Sequence, residues 1–323
     1  MCTAITYKTG DTYFGRTLDL EYAYNEKVVV TPRNFVFDFR RKGSIENHYA
    51  IIGMATVVND YPLYYEAANE HGLAMAGLNF PGNACYYEEK EDKENISPFE
   101  FIPWILCQCR NLDEVLMLLE KINLCNIKFN EDMPLSPLHW IIADKEKTIT
   151  VEAVSVGLKI YENPVGVLTN NPEFDYHMTY LCDFANLTSF PHKNNFGNID
   201  LTPYSRGIGA KGLPGDHSST SRFVRAVFTK LNSLSGDSEN ESISQFFHIL
   251  GSVNQTRGCV RLEGGKNMIT EYTSCINLHK GIYYYTTYGN RCISSVDINR
   301  CNLESDGLSV FSLVKEQIIN KQN

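Results

Sequence analysis

The order of its structural signals constrains this chain most. Strand-like segments come in blocks, helix-like segments come in blocks, and the two alternate without strict β-α-β units. Over the first 80 residues the pattern predicts strands at 3–7, 12–17, 27–31, 49–53 and 73–78. These runs are short, carry β-branched or aromatic residues, and are separated by Gly, Asn, Asp and Pro. Helix signals begin at Ser97-Pro98-Phe99-Glu100, which reads as an N-cap serine with proline and glutamate in the first turn. An apolar run from 101 to 109 follows. Asn111-Leu112-Asp113-Glu114 repeats the capping logic before Val115, Leu118 and Leu119. Strands return at 138–143, 148–153, 158–161 and 166–168. A long irregular stretch covers 187–217, and loops of that length in compact proteins are usually functional or mobile. Helices are expected at 219–232 and 242–251, and strands at 271–278, 281–286 and 292–296. Blocks of this kind pack as an α+β layered fold. With no Pro, Gly or Ser linker and no internal repeat, a single domain over 1–323 is expected.

Composition narrows the partners. A net charge of −9 repels phosphate backbones and argues against nucleic acid. The acidic stretch from Glu88 to Glu94 reads as a solvated loop. No basic region followed by an apolar run opens the chain, and no stretch of about 18 apolar residues occurs. The expectation is a cytoplasmic protein without a membrane span. The ten cysteines contain no CxxC pair, so they read as free thiols, not as disulfides or zinc ligands.

Cys2 is set apart from the other cysteines by position. Removal of Met1, normal when the second residue is small, leaves a thiol and a free α-amine on one residue. An α-amine with an ordinary pKa of about 7.7–8.0 can take the thiol proton near neutral pH. Nucleophile and base then come from a single residue, and no histidine is needed. Gly15-Arg16-Thr17-Leu18-Asp19 follows on a strand that can pair with the first. Asp19 is suited to hold an ammonium, and Arg16 to orient Asp19 or favour the thiolate.

At this point the sequence resembles the choloylglycine hydrolases, the bile salt hydrolases and related penicillin V acylases, over essentially its whole length. The resemblance rests on Met1-Cys2-Thr3, Phe14-Gly15-Arg16-Thr17-Leu18-Asp19, Thr31-Pro32-Arg33-Asn34-Phe35 and Asn59-Asp60-Tyr61-Pro62. It continues in Ala76-Gly77-Leu78-Asn79-Phe80-Pro81, Gly166-Val167-Leu168-Thr169-Asn170-Asn171-Pro172, Gly212-Leu213-Pro214-Gly215-Asp216, Ser221-Arg222-Phe223 and Tyr272-Thr273-Ser274-Cys275. It implies the N-terminal-nucleophile hydrolase fold, a four-layer αββα sandwich, and a homotetramer, with neither metal nor organic cofactor.

The resemblance also implies roles. Cys2 is the nucleophile and its amine the base, with Arg16 and Asp19 holding that centre. Asn170 and the backbone N–H of Asn79 form the oxyanion hole, and Arg222 is the remaining active-site arginine. Leu18, Tyr24, Phe129 and Met133 line an apolar cleft for the acyl group. Asn79 stands where penicillin V acylases carry Tyr, which favours conjugated bile salts. Arg206, in Tyr204-Ser205-Arg206-Gly207, matches the loop version associated with glycine conjugates. The competing enzymatic reading is a penicillin V acylase or broader N-acyl amide hydrolase; the same acyl-enzyme can also pass its acyl group to an amine. The competing non-enzymatic reading is a binding protein for bile acids or lipid amides, against which the intact set of polar residues argues. Replacing Cys2 with Ser or Ala is expected to abolish amide turnover, measured as release of the amine product.

Overall fold

The computed structural model describes all 323 residues. Two antiparallel sheets stack face to face. The first strand, β1 (Cys2–Lys8), and the second, β2 (Thr12–Leu20), pair antiparallel with Cys2 opposite Leu18 and Ala4 opposite Arg16. They sit inside a six-stranded sheet. Val167–Leu168 flanks β1 on its other side, and Ile269–Asn277, Ile282–Thr287 and Ser294–Asp297 continue beyond β2. The second sheet has eight strands, in the order Gly157–Glu162, Thr148–Val154, Leu138–Ala143, Ala74–Asn79, Tyr61–Asn69, Ile51–Val58, Lys27–Thr31 and Ser309–Ser312.

Helices cover both outer faces. Ser219–Asn232 and Glu239–Gly251 pack on the first sheet, and Phe101–Gln108 packs on the second. Strand alternation sorts side chains between layers. Val28, Val30, Ala74, Ala76 and Leu78 join the core between the sheets, whereas Val29 and Met75 join the core beneath helices Phe101–Gln108 and Leu112–Leu119. Covered on both faces, these strands read as unbroken apolar runs, not as alternation. The result is the αββα sandwich. No helix is long and apolar enough to cross a membrane.

Several boundaries differ from the sequence reading. Ser97 does not cap a helix. Its hydroxyl donates to the Ile127 carbonyl at 2.6 Å, and Glu100 reaches back to the Ser97 N–H at 3.0 Å, so the helix starts at Phe101. Asn111 does cap, accepting from the Glu114 N–H at 3.0 Å. Ser238 and Glu241 form a reciprocal capping box that starts the last helix at Glu239, earlier than the apolar pattern suggests. Strands Tyr61–Asn69 and Ser309–Ser312 and helix Phe174–Leu181 were not anticipated. Pro62, which gives the ladder no donor, and the charge at Glu66 hide the first of these.

Two β-bulges lie beside the start of β1. Between Asp19/Thr270 and Leu18/Tyr272 the register slips at Glu271. Between Met54/Glu66 and Ala55/Tyr64 it slips at Tyr65. A bulge leaves an unpaired residue and re-aims its neighbours. Close approach elsewhere requires Gly15, where a Cβ would collide with the Ser274 carbonyl of the adjacent strand. Gly15→Ala is expected to cost about 1–3 kcal/mol through overpacking. Thermal unfolding followed by circular dichroism should show a lowered Tm, with Gly10→Ala, which faces open space, as the unaffected control.

Candidate active site

Cys2 is buried, and its main chain is held at both ends. Its N–H donates to Asn170 Oδ1 at 2.8 Å. Its carbonyl accepts from Arg222 Nη1 at 2.5 Å. The same Nη1 donates to Thr3 Oγ1 at 2.8 Å, and Nη2 donates to Asn170 Oδ1 at 2.7 Å. Arg222 lies one turn into helix Ser219–Asn232, whose N-cap Ser218 accepts from the Ser221 N–H. That cap fixes the first turn, and the first turn aims the guanidinium inward. Met1 continues β1 by one residue. Its amine donates to the Asp19 carbonyl at 2.7 Å, and the Asp19 N–H donates to the Met1 carbonyl at 2.9 Å.

Arg16 and Asp19 are both fully buried, but they do not pair with one another. Arg16 shares a face with Cys2, Ala4 and Leu18, toward the second sheet. Its Nη1 donates to the carbonyls of Gly77 at 2.5 Å and Tyr65 at 3.3 Å, and its Nε to Thr17 at 3.2 Å. Tyr65 is the bulge residue, so its carbonyl is free for this contact. Glu66 Oε2 is 3.8 Å from Arg16 Nε and also accepts from the Tyr272 hydroxyl at 2.8 Å. Tyr283 donates to Glu66 Oε1 at 2.5 Å. Burial works against the Arg16 charge. The adjacent Cys2, Tyr272, Glu66 and Asp19 more than offset it, so the guanidinium is held above its ordinary pKa.

Asp19 faces the opposite way, toward the helix layer. Thr270 donates to its Oδ1 at 2.7 Å and Thr17 to its Oδ2 at 3.2 Å. Burial raises its pKa, opposed by Arg222, the chain-terminal ammonium, the Thr270 hydroxyl and Arg16. Two expectations are therefore corrected. Arg16 does not orient Asp19, because positions an odd number of residues apart on a strand face opposite sides. The direct acceptor at the Cys2 nitrogen is Asn170, while Asp19 acts on the chain terminus through its charge.

Asn170 and Asn79 meet across the two sheets. Asn170 Nδ2 donates to the Asn79 carbonyl at 2.7 Å, and its second N–H has no partner. Phe80 N–H donates to the Pro137 carbonyl at 2.7 Å. In an antiparallel ladder the neighbouring Asn79–Leu138 pair then exchanges no bonds, and the Asn79 N–H and carbonyl turn together away from that strand. Both therefore lie on the Asn170 side. The Asn79 side chain itself is exposed. Two donors thus lie at the Asn79–Asn170 contact, beside the side chain that holds the Cys2 nitrogen: the free Asn170 amide N–H and the Asn79 backbone N–H.

The acyl-pocket residues are more scattered. Leu18 is buried in the core opposite Cys2. Phe129 packs edge-on against Phe99, with ring centroids 5.2 Å apart, and near Tyr61. Met133 closes a turn with Asn130. Tyr24 is exposed and donates to the Tyr22 hydroxyl at 2.9 Å, and Arg206 is exposed in the long loop. A groove of about 600 Å³ lies at the far end of β1, beside Lys8 and Lys230, and contains none of the candidate residues. Sequence reasoning missed Glu66, Thr270, Tyr272 and Ser219. The visible signal for Glu66 is a lone charge inside an apolar strand.

A buried chain start inside stacked sheets between helices defines the layout of an N-terminal-nucleophile hydrolase. Residues 2–311 match the family described as linear amide C–N hydrolases, choloylglycine hydrolase family. A protein of Lactiplantibacillus plantarum named bile salt hydrolase/transferase is 53% identical over 98% of each chain. A protein of the same name from Clostridium perfringens is 38% identical over 100% of each chain. A crystal structure of a variant of the conjugated bile acid hydrolase from Clostridium perfringens superposes with a TM-score of 0.93 at 37% identity, covering 100% of both chains. Penicillin V acylase from Agrobacterium tumefaciens shares the fold, with a TM-score of 0.77 at 18% identity over 98% of this chain and 93% of its own. The chain belongs to the choloylglycine hydrolase family.

Thr270→Val removes a donor that favours the charged Asp19. The carboxyl should then titrate still higher, so the acid limb of the kcat/KM profile should move to higher pH. A pH–rate comparison with the unmodified enzyme checks the sign.

Proposed function

We propose that the protein hydrolyses the amide bond of conjugated bile salts, releasing glycine or taurine through a Cys2 thioester. The observation that carries the chemistry is the position of the Cys2 nitrogen, 2.8 Å from Asn170 Oδ1 and on the residue that bears the thiol. Once Met1 is removed, that nitrogen is an amine. It takes the thiol proton as Sγ attacks the amide carbonyl. The carbonyl oxygen becomes an oxyanion, which accepts from the Asn79 N–H and the free Asn170 Nδ2–H. Preorganised donors of this kind are typically worth about 10²–10³ in rate each. Collapse breaks the C–N bond, and the ammonium returns its proton to the leaving amine. Water then attacks the thioester, its proton passes to the amine and on to the thiolate, and the free acid departs.

The substrate class rests on full-length relatives named for bile salts and on Asn79. Arg206 in the exposed loop supports glycine conjugates over taurine conjugates. Because both are monoanions at neutral pH, loop shape and conjugate length decide that preference, not charge. Exposed Phe190, Phe196, Ile199, Leu201 and Tyr204 on the same loop support its use in contacts between copies, in line with a homotetramer. Cytoplasmic residence belongs to the same reading.

Amine release from glycocholate, taurocholate and penicillin V tests the proposal. Cleavage of the two bile salts with glycocholate faster is the expected result. Cleavage of penicillin V alone would replace it with an acylase reading. Binding of bile salts without release would replace it with a carrier.

A further inference from the structure

Two buried histidines hold the segment that carries Asn170. Asn170 follows Val167–Leu168, a strand of only two residues, so sheet pairing alone fixes it poorly. Its polar groups are tied instead by side chains from three other elements. His177, on helix Phe174–Leu181, places Nε2 at 2.8 Å from the Asn170 carbonyl. A carbonyl only accepts, so Nε2 carries the hydrogen. His139, on strand Leu138–Ala143 of the other sheet, places Nε2 at 3.0 Å from the Thr169 carbonyl and Nδ1 at 3.0 Å from Glu152 Oε1. The Oγ of Ser219, at the start of helix Ser219–Asn232, accepts from the Asn170 N–H at 2.8 Å and lies 3.0 Å from Thr169 Oγ1.

The cost of burying these rings identifies what they do. Both histidines are fully buried. His177 Nδ1 has no hydrogen-bond partner, and the ring stacks on Phe223 with centroids 4.8 Å apart. A phenyl ring would fill that space without burying an unpartnered nitrogen. The polar contact that a histidine adds there is the one to Asn170. Burial brings its pKa down to about 4, so the ring is neutral at working pH and contributes no charge. His139 stacks face to face on Phe80, with centroids 4.1 Å apart, and Phe80 adjoins Asn79. One imidazole thus touches the Thr169 carbonyl beside Asn170 and the Phe80 ring beside Asn79.

We propose that His177, with His139 and Ser219, is a positioning residue that holds the Asn170 amide in register with Asn79 and Cys2. This rests on the reading of Asn170 as an oxyanion donor. Alkylation of Cys2 by iodoacetamide needs no oxyanion hole, whereas amide hydrolysis does. His177→Phe keeps the aromatic stack and removes one hydrogen bond. It should lower kcat about 10- to 100-fold, with KM within about twofold of the wild type and the Cys2 alkylation rate, which feels Asn170 only through its bond to the Cys2 nitrogen, falling much less than kcat. His177→Gln, whose amide nitrogen reaches the same carbonyl, should restore most of the loss. Ser219→Ala, a small change at a helix start, should fall in the same direction and serves if His177→Phe does not fold. The assays use glycocholate and penicillin V. Full kcat in His177→Phe or, should that variant not fold, in Ser219→Ala overturns the positioning role. So does an alkylation rate that falls in step with kcat, or a His177→Gln variant that stays as slow as His177→Phe. A wild-type enzyme that cleaves neither amide overturns the functional reading itself, and this inference with it.

Discussion

The structure depends on immobilising a chain terminus. The first residues of most proteins fray unless something ties them down. Here the second residue is bonded through its nitrogen to Asn170 and through its carbonyl to Arg222, and its strand has a partner on each side. Arg222 links three elements at once: its own helix, the first strand and the Asn170 segment. Without that clamp, a nucleophile borne by the main chain would have no defined direction.

Four fully buried ionisable side chains, two acids and two bases, lie around Cys2: Arg16 and Glu66 between the sheets, Asp19 and Arg222 toward the helices. Buried charges are costly unless their hydrogen-bonding groups are satisfied. Backbone carbonyls satisfy Arg16, tyrosine hydroxyls satisfy Glu66, and threonine hydroxyls satisfy Asp19. Arg16 also joins the two sheets, since its acceptors at Tyr65 and Gly77 belong to the second. The field at Cys2 is therefore built into the packing. It does not depend on mobile side chains or on solvent.

Much of this was legible in the sequence, and the failures have physical reasons. The layered α+β class followed from the blocks of strand and helix signals, and the cap at Asn111 lies where local chemistry places it. The Ser97 signal failed because Glu100 satisfies the Ser97 backbone within a turn that precedes the helix. Arg16 and Asp19 were read as a pair, although their spacing on a strand puts them on opposite faces. Glu66, His139 and Thr270 were invisible as partners because what they bind is brought near only by the stacking of sheets or by a bulge. Of the acyl-pocket residues, Leu18 sits in the core and Tyr24 faces solvent.

The topology also sets an order of assembly. All but the edge strand of the second sheet is complete once residue 162 has been made, whereas β2 waits for Ile269–Asn277 and Cys2 waits for Asn170 and Arg222. Chains emerge N-terminus first and fold as their long-range partners arrive. The thiol is thus among the first groups synthesised, and its surroundings are among the last to close. During most of its synthesis the chain carries an ordinary cysteine near a free end. The partners that the proposed nucleophile needs therefore arrive only with the completed fold.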